Sequence, residues 1–284
     1  MAVDSHCHLT LRFEKHEIPI VLANASNEGV RGLLLVGYDP GHFNGVKEIL
    51  DTYGSGPDAY PALAGSIGIH PHEADKYTAD DIQYFKEELE RHDIVAIGET
   101  GLDFFRDYAD FDRQIDLFRA QVRLASETGY PLILHSRDAF DKTVEVLKEF
   151  DLPESPGVFH CYGYGPDEIS TAVEMGFCVS FAGNLTYPKA VELHQAAARV
   201  PEKSVLVETD SPFLIPQKAK NRKVRRNEPC HVMETAAKLA ELRGWDLEKT
   251  SSIVTDNTLS CFPKLKSLQA WNSLHSAVNP GRNN

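Results

Sequence analysis

The sequence predicts a single domain with an α/β fold, a (β/α)8 barrel of the TIM type, and three observations support this. Short apolar runs recur about eight times, each followed by a polar turn and a stretch with helical periodicity. These units span about 260 residues, which is the size of such a barrel. No linker rich in Gly, Pro or Ser divides the chain. An open doubly wound sheet produces a similar pattern, but we prefer the barrel.

The strand candidates are short and mostly apolar, as expected for strands that are buried on both faces of a parallel sheet. They cover residues 2–9, 32–38, 62–70, 93–99, 131–135, 157–160, 177–181 and 204–209. Each is separated from the next by a stretch long enough for a turn and a helix, which is the pattern of repeated strand–helix units.

The segments between the strands carry the signals that begin and end helices. Thr78 and Asp81 predict a capping box at the start of a helix that ends near Arg91. Apolar residues three and four positions apart from Ile115 onward predict the next helix, and Gly129 suits its C-cap. The remaining helices are predicted at 140–147, after Pro166 and Pro188, and over 229–243 and 246–259.

Composition and charge exclude several classes of protein. The chain has 284 residues, 42% hydrophobic and 25% charged, which excludes disordered, collagen-like and disulfide-scaffold proteins. The net charge of −13 argues against a sequence-wide basic surface for nucleic acid or lipid. Five cysteines without a CxxC spacing indicate reduced thiols. No membrane-length apolar run or signal peptide is present, so we expect a cytoplasmic protein without a membrane partner. The barrel should cover residues 1–265, and a loosely held tail 266–284.

Histidine and acidic residues lie at the carboxyl ends of the predicted strands. The set comprises His6, His8, Glu99, His135, His160 and Asp210. In a parallel barrel the carboxyl ends of all strands meet at one face, so these residues, up to about two hundred positions apart, would converge there. Side chains alternate along a strand, so His6 and His8 point to the same side and Cys7 points away.

Four imidazoles and two carboxylates in one pocket predict a metal site, because buried ionisable groups must pair, lose their charge or bind a cation. Nitrogen and carboxylate donors without thiolate suit Zn, Mn, Fe or Co better than the all-oxygen shell that Mg prefers. The set also exceeds the three protein ligands usual for one catalytic zinc, which predicts two divalent ions that share a carboxylate. The identity of the ions, Mg, Mn, Zn or Co, stays open.

The chain resembles the TatD family of metal-dependent deoxyribonucleases, which have amidohydrolase-like barrels. The resemblance extends from about residue 2 to residue 263, and the ordered series of motifs makes it specific. The motifs are Asp4-Ser5-His6-Cys7-His8-Leu9, Gly68-Ile69-His70-Pro71-His72, Gly98-Glu99-Thr100-Gly101-Leu102-Asp103, Leu134-His135-Ser136-Arg137, Phe159-His160-Cys161, Glu208-Thr209-Asp210-Ser211-Pro212 and Arg226-Asn227-Glu228-Pro229. Residues 161–165 depart from the Phe-Ser-Gly common in relatives, which bears on substrate fit.

The resemblance implies two metal ions that share Glu99. The first ion's ligands would be His6, His8, Glu99 and Asp210, and the second ion's ligands Glu99, His135 and His160. His70 would lie beside the scissile phosphate. The implied reaction is hydrolysis of DNA phosphodiester bonds by a metal-activated water, with Asp210 orienting or deprotonating it. Glu99 and Asp210 are therefore the predicted catalytic residues.

Two polar side chains near this pocket each allow two interpretations. Glu208 shares the inward face of its strand with Asp210 and either orients a metal ligand or forms a buried ion pair. Arg137 shares a side with His135 and either binds a substrate phosphate or forms a salt bridge to Asp103 or Asp138.

A basic segment and several aromatic residues also allow two interpretations each. Six Lys and Arg residues within 218–226 either clamp a nucleic-acid backbone over the mouth or form a solvated surface. The second set either contacts substrate bases and phosphates or packs at the rim, and it comprises His70, Phe104, Phe105, Tyr162 and Tyr164.

Three functions remain possible on this evidence. The preferred function is a nuclease that acts on single-stranded ends of DNA, because the acidic chain and the absence of a groove-reading helix disfavour duplex. The alternative is a metal-dependent ester or amide hydrolase, such as an aminoacyl-tRNA deacylase, since the same centre can attack a carbonyl carbon. The third is a barrel that binds metal without turnover. The sequence leaves the oligomeric state open.

Overall fold

Eight parallel strands, paired in sequential order, form the sheet in the computed structural model of this protein. The structure describes residues 2–54 and 59–278, the last four of these through their backbone alone. The strands are β1 (Ala2–Cys7), β2 (Val30–Leu35), β3 (Ala62–Ile67), β4 (Ile94–Asp103), β5 (Leu132–Arg137), β6 (Gly157–Phe159), β7 (Cys178–Phe181) and β8 (Val205–Val207). This confirms the predicted (β/α)8 barrel.

Helices alternate with these strands along the described residues. They are α1 (Ile18–Asn27), α2 (Pro40–Tyr53), α3 (Ala79–Glu88), α4 (Phe111–Thr128), α5 (Phe140–Leu147), α6 (Pro166–Glu174), α7 (Val191–Arg199), α8 (Gln217–Asn221), α9 (Val232–Arg243), α10 (Leu247–Cys261) and α11 (Gln269–Val278). The predicted capping box at Thr78 and Asp81 is present, and Gly129 ends α4 with a φ of 76°.

The barrel closes at the end of β1 and the residues after β8. Cys7 pairs with Ser211 in a parallel bridge, and the N–H of Asp210 donates to the carbonyl of His6 at 3.0 Å. The buried carboxylate of Asp4 accepts from the backbone N–H of Thr209 at 2.9 Å and from its hydroxyl at 2.6 Å. These contacts hold the first and last ligand-bearing strands together.

Strand β4 is longer than the sequence pattern predicted. The prediction ended this strand at Glu99, whereas the pairing with β5 continues to Asp103 and Arg137. Gly101 permits this pairing, because a Cβ there would lie only 2.0 Å from the carbonyl oxygen of His135 and the φ of 137° disfavours other residues. The extension carries Asp103 into the barrel mouth.

Trp271 seals the opposite, amino-terminal end of the barrel. Its side chain is fully buried in the apolar cluster that also contains Val3, Leu34 and Val95 from the barrel interior. The ring lies where a Cβ on Gly32 would be, 2.6 Å from the nearest ring carbon. The prediction of a loosely held tail is therefore wrong for the part of it that forms α11. The end of the predicted tail, 279–284, lies outside the described residues.

None of the helices within 2–54 and 59–278 has the length and apolar character needed to cross a bilayer.

Candidate metal centre

The structure brings the six predicted site residues together at the carboxyl-terminal mouth of the barrel. They come from β1, β4, β5 and the residues that follow β1, β6 and β8, and they comprise His6, His8, Glu99, His135, His160 and Asp210. Four of them are buried, and His135 and Asp210 are half-buried. The convergence follows from the parallel topology, which gathers all strand ends at one face.

Glu99 lies at the centre of the cluster, and its two oxygens face different histidines. Oε2 lies 3.5 Å from Nε2 of His6 and 3.3 Å from Nε2 of His8. Oε1 lies 2.8 Å from Nδ1 of His135 and 2.8 Å from Nε2 of His160. One carboxylate therefore stands between two groups of imidazoles, the arrangement expected of a ligand shared by two ions.

The first group comprises His6, His8 and Asp210, beside Oε2 of Glu99. Oδ1 of Asp210 lies 3.8 Å from Nε2 of His6 and 3.5 Å from Nε2 of His8, and these two nitrogens are 3.0 Å apart. Bonds of about 2.1 Å at tetrahedral angles separate ligand atoms by roughly 3.4 Å. The donor atoms of the first group therefore fit one divalent ion. The thiol of Cys7 points away, towards the carbonyl of Leu34.

The second group comprises His70, His135 and His160, beside Oε1 of Glu99. Nε2 of His70 lies 3.4 Å from that oxygen. Ligand atoms of His70, Glu99 and His135 all lie within 4.8 Å of one another. The structure thus brings His70 close to the bridging carboxylate, so this residue can hold a metal as well as contact a substrate. The ring of Tyr38 stacks on it, with centres 4.7 Å apart.

The first group holds one neutral and one protonated imidazole when no metal is bound. Burial lowers the pKa of His6 to about 3. Burial acts in the same direction on His8, but its contacts with Asp210 and Glu99 outweigh burial and raise its pKa to about 9. The proton on His8 therefore occupies the place of a cation between two carboxylates.

The second group likewise combines a histidine of lowered pKa with a histidine of raised pKa, here around Glu99. Burial alone would raise the pKa of Glu99, but the charges of His160 and His70 hold it well below its usual value. Burial lowers the pKa of His70 to about 3, whereas the nearby Glu99 and Glu208 raise the pKa of His160 well above its usual range. The carboxylate stays ionised and attracts positive charge, as a metal site requires.

Two further carboxylates orient the histidines of the second group. Oδ2 of Asp103 lies 3.2 Å from Nε2 of His135, and Oε1 of Glu208 lies 3.2 Å from Nδ1 of His160. In each ring the other nitrogen faces Glu99. A carboxylate that holds the far nitrogen of a ligand histidine fixes its tautomer and orientation. Of the two interpretations of Glu208, this geometry favours the orienting role.

Sequence analysis missed the part that Asp103 plays. Besides His135, the carboxylate contacts Nε2 of His72 at 2.8 Å, and its Oδ1 accepts from the backbone N–H of Phe105 and of Arg106. A signal was available, because Asp103 is four positions after Glu99 and so shares its side of a strand. Because the predicted strand ended at Glu99, Asp103 was not assigned to it.

A cavity of about 620 Å³ opens above the two groups. Its wall includes residues of both groups together with Asp103, His72, Arg137, Tyr164, Phe105 and Phe213. The volume falls within the usual range of small-molecule sites, and most residues of the wall carry polar or ionisable side chains.

Arg137 does not form the salt bridge that was one of its two interpretations. Among the described residues it has no ion pair with Asp103 or Asp138, and its guanidinium lies 3.8 Å from the centre of the Phe105 ring. It lines the cavity and is exposed. The remaining interpretation, a contact with substrate phosphate, is compatible with this position.

The basic segment 218–226 does not contribute to the cavity wall, contrary to the expectation that it hangs over the mouth. Arg222 pairs with Glu234 at 2.8 Å, and Arg226 pairs with Glu17 at 2.8 Å. Lys220 lies over the ring of Tyr187. The contacts of the segment are thus with α9, with the residues before α1 and with the residues after β7, and not with the metal cavity.

The predicted aromatic contacts divide into exposed and packed residues. Phe105 is exposed at the cavity, whereas Phe104 packs against the ring of Phe111. Tyr162 is buried, and its hydroxyl donates to the carbonyl of Gly165. The hydroxyl of Tyr164 accepts from the backbone N–H of Ala139 at the cavity wall. Packing therefore explains Phe104 and Tyr162.

Comparison with known proteins gives one family across nearly the whole chain. The family described as TatD related DNase matches residues 3–263. The chain is 32% identical over 262 residues to a Bacillus subtilis (strain 168) protein named "Uncharacterized metal-dependent hydrolase YabD", covering 92% of this chain and 99% of that protein. It is 30% identical over 245 residues to the "3'-5' ssDNA/RNA exonuclease TatD" of Pantoea ananatis, covering 85% of this chain and 92% of the relative.

Solved structures agree with the sequence relatives. The crystal structure of YjjV, a TatD homologue from Escherichia coli K12, superposes with a TM-score of 0.84 at 29% identity. The match covers 92% of this chain and 98% of YjjV.

Proposed function

This chain belongs to the family of TatD-related DNases, and from that membership we propose that it hydrolyses phosphodiester bonds of DNA with two divalent metal ions. It is a metal-dependent hydrolase of this family, and relatives named as single-strand exonucleases support nucleic acid as the substrate. We propose that the centre binds two ions. The observation that carries it is the division of the Glu99 oxygens between two histidine groups.

We propose that His6, His8, Glu99 and Asp210 hold one ion, and that Glu99, His135 and His160 hold the second. When bound, such ions lower the pKa of a water and offset charge on phosphoryl oxygens. The ions could be Mg, Mn, Zn or Co, and the many nitrogen donors favour Mn, Zn and Co over Mg. The donor separations and the ionised Glu99 described above support both sites.

The protein side chains have distinct tasks in this proposal. Asp210, half-buried at the cavity edge, orients the attacking water and accepts its proton. Glu99 fixes the position of the first histidine group relative to the second. His70 and Arg137 bind the substrate, and Arg137 supplies in-plane N–H donors suited to a phosphate. The histidines, the carboxylates and Arg137 that line the cavity fit a charged substrate better than an apolar one.

Single-stranded ends of nucleic acid are the proposed substrate form. The net charge of −13 repels an extended duplex, whereas a flexible strand end can enter a cavity of about 620 Å³. The alternative, hydrolysis of an aminoacyl ester, is not favoured, because the named relatives act on DNA or RNA.

The proposal is tested with end-labelled single- and double-stranded DNA and an aminoacyl-tRNA, each incubated with metal-free protein reconstituted with Mg, Mn, Co or Zn. We expect cleavage of single-stranded DNA, with two ions bound per chain by elemental analysis. Glu99→Gln should reduce kcat by at least about a thousandfold and lower the metal content, because one residue serves both ions. Glu90→Gln, an exposed carboxylate outside the site, is the matched control. Full activity of Glu99→Gln, or hydrolysis of the ester alone, would overturn the proposal.

A further inference from the structure

Two arginine–phenylalanine pairs lie on opposite sides of the barrel mouth. The guanidinium of Arg137 is 3.8 Å from the centre of the Phe105 ring, and that of Arg12 is 5.3 Å from the centre of the Phe213 ring. Phe105 follows β4 and Arg137 ends β5, whereas Arg12 follows β1 and Phe213 follows β8. Because the eight strands pair in order and the ends of the sheet meet, β4 and β5 lie opposite β8 and β1.

We propose that these two pairs are nucleotide subsites on the two sides of the scissile phosphate, an inference that rests on the proposed nuclease function. In each subsite the phenylalanine stacks on a base and the arginine binds a flanking phosphate. The substrate class this predicts is a single strand, because a base must leave its duplex partner before it can stack on a side chain.

Each pair belongs to a different half of the metal centre. Arg137 comes two residues after His135 of the second group and shares its side of β5. On the other side, the ring of Phe213 lies 6.4 Å from the ring of His8 in the first group. Phe105, Arg137 and Phe213 all line the cavity. A strand that crosses the centre from one group to the other therefore meets one pair before the scissile phosphate and one after it.

The hydrogen-bond donors of the two arginines are available to a substrate. Within the described part of the chain, neither guanidinium donates to a protein acceptor, and both side chains are exposed. Two of the other arginines that stack on rings do donate to protein acceptors. Arg226, over Phe13, donates to the carboxylate of Glu17, and Arg243 donates to backbone carbonyls. Stacking occupies the face of a guanidinium and leaves its N–H edge for a phosphate.

The rings of both pairs are exposed although they are large and apolar. Phe105 is 51% exposed and Phe213 is 38% exposed, beside a cavity lined mostly by residues with polar side chains. Two apolar rings at such a mouth suit the faces of nucleobases, which every base offers regardless of sequence. The subsites would therefore accept strands of any sequence.

Asp103 fixes one subsite relative to the metal centre. Its Oδ1 accepts from the backbone N–H of Phe105 at 3.0 Å, and its Oδ2 lies 3.2 Å from Nε2 of His135. The same buried carboxylate thus holds both the backbone that carries the Phe105 ring and a ligand of the second group. The distance between the base subsite and the reacting phosphate is preset by the fold.

The test combines Phe105→Leu and Phe213→Leu with single-stranded oligonucleotides that lack one base. The abasic unit is either the terminal nucleotide at the end where cleavage begins or the next nucleotide. Each variant is scored by the ratio of kcat/KM on the intact and the abasic strand, so that a general loss of activity cancels. Base stacking predicts that the wild type loses at least about fivefold at each position. One variant should abolish the loss at the terminal position and the other variant the loss at the second position.

Phe150→Leu is the matched control. Arg123 lies 5.9 Å from the centre of the Phe150 ring, and neither residue lines the cavity, so the ratios of this variant should equal those of the wild type. Arg137→Gln and Arg12→Gln should raise KM and reduce its salt dependence, unlike Arg123→Gln. If both phenylalanine variants respond to the same position, or neither responds, the inference fails while the nuclease function stands. If the wild type cleaves neither oligonucleotides nor bis(p-nitrophenyl) phosphate with any metal, the proposed function fails, and the inference fails with it.

Discussion

At the scale of single residues, the chemistry of the site depends on carboxylates that touch histidines. Glu99 separates two histidine groups, and Asp103 and Glu208 hold the far nitrogens of His135 and His160. A histidine side chain alone rotates about two bonds and has two tautomers. Contacts to a carboxylate on each side leave one orientation for the lone pair that would bind a metal.

We therefore expect Asp103→Asn and Glu208→Gln to weaken metal binding without abolishing it. Loss of an orienting carboxylate typically costs about 10–100-fold in metal affinity. Competition with a chelating dye measures the affinity, and circular dichroism checks the fold. Asp138→Asn, an exposed carboxylate of the cavity wall, is the control. Unchanged affinity in both variants would show that these carboxylates serve packing and not the ligands.

The protonation of His8 predicts how metal affinity depends on pH. Its pKa is raised to about 9 in the metal-free protein, so below pH 9 a metal must displace a proton from it. Apparent affinity should therefore rise with pH, by up to about tenfold per unit between pH 6 and 8.5 for one displaced proton. Calorimetry in buffers of different ionisation enthalpy measures the released proton. His8→Asn should flatten the dependence for the first ion, and an affinity of that ion that does not vary with pH would contradict the assignment.

At the scale of elements, the strand ends carry the site and the segments after them select what reaches it. The segment after β4 carries Phe105 to the cavity, whereas the basic residues of the segment after β8 do not line it. Sequence analysis found both segments but not their directions. The prediction ended this strand at Glu99, whereas the missing Cβ of Gly101 lets β4 continue beside β5.

Neutralising the basic segment should have little effect on substrate binding. The triple variant Lys218→Gln, Lys223→Gln and Arg225→Gln removes charges that do not line the cavity. Charges more than about 8–10 Å from a phosphate are screened at physiological salt. We expect KM for a single-stranded oligonucleotide to change less than about twofold, with the same salt slope as the wild type. A tenfold rise in KM with a flatter slope would restore the clamp interpretation.

At the scale of the whole molecule, the two ends of the barrel have separate tasks. The carboxyl-terminal mouth holds the polar cluster, and the amino-terminal end is filled by Trp271 from the last described helix. Stability and chemistry can therefore be changed independently, since the residues that serve them lie at opposite ends.

Trp271→Ala should destabilise the protein while leaving its metal centre intact. Truncation of a fully buried aromatic side chain typically costs about 3–5 kcal/mol of unfolding free energy. Urea denaturation measures the loss, and metal content below the transition should equal that of the wild type. Trp245→Ala removes a half-buried ring beside Arg243 and should cost less. Equal stability of the two variants would contradict the sealing role of Trp271.

The sequence by itself determined the barrel and the residues gathered at its mouth. The alternation of apolar runs and helical stretches is readable in one dimension, and parallel topology brings every strand end to the same face. The tertiary structure alone decided which oxygen of Glu99 faces which histidine, that Asp103 joins the centre, and that Trp271 closes the far end. Those features depend on side-chain rotamers and on contacts between residues far apart in the chain, which local periodicity does not encode.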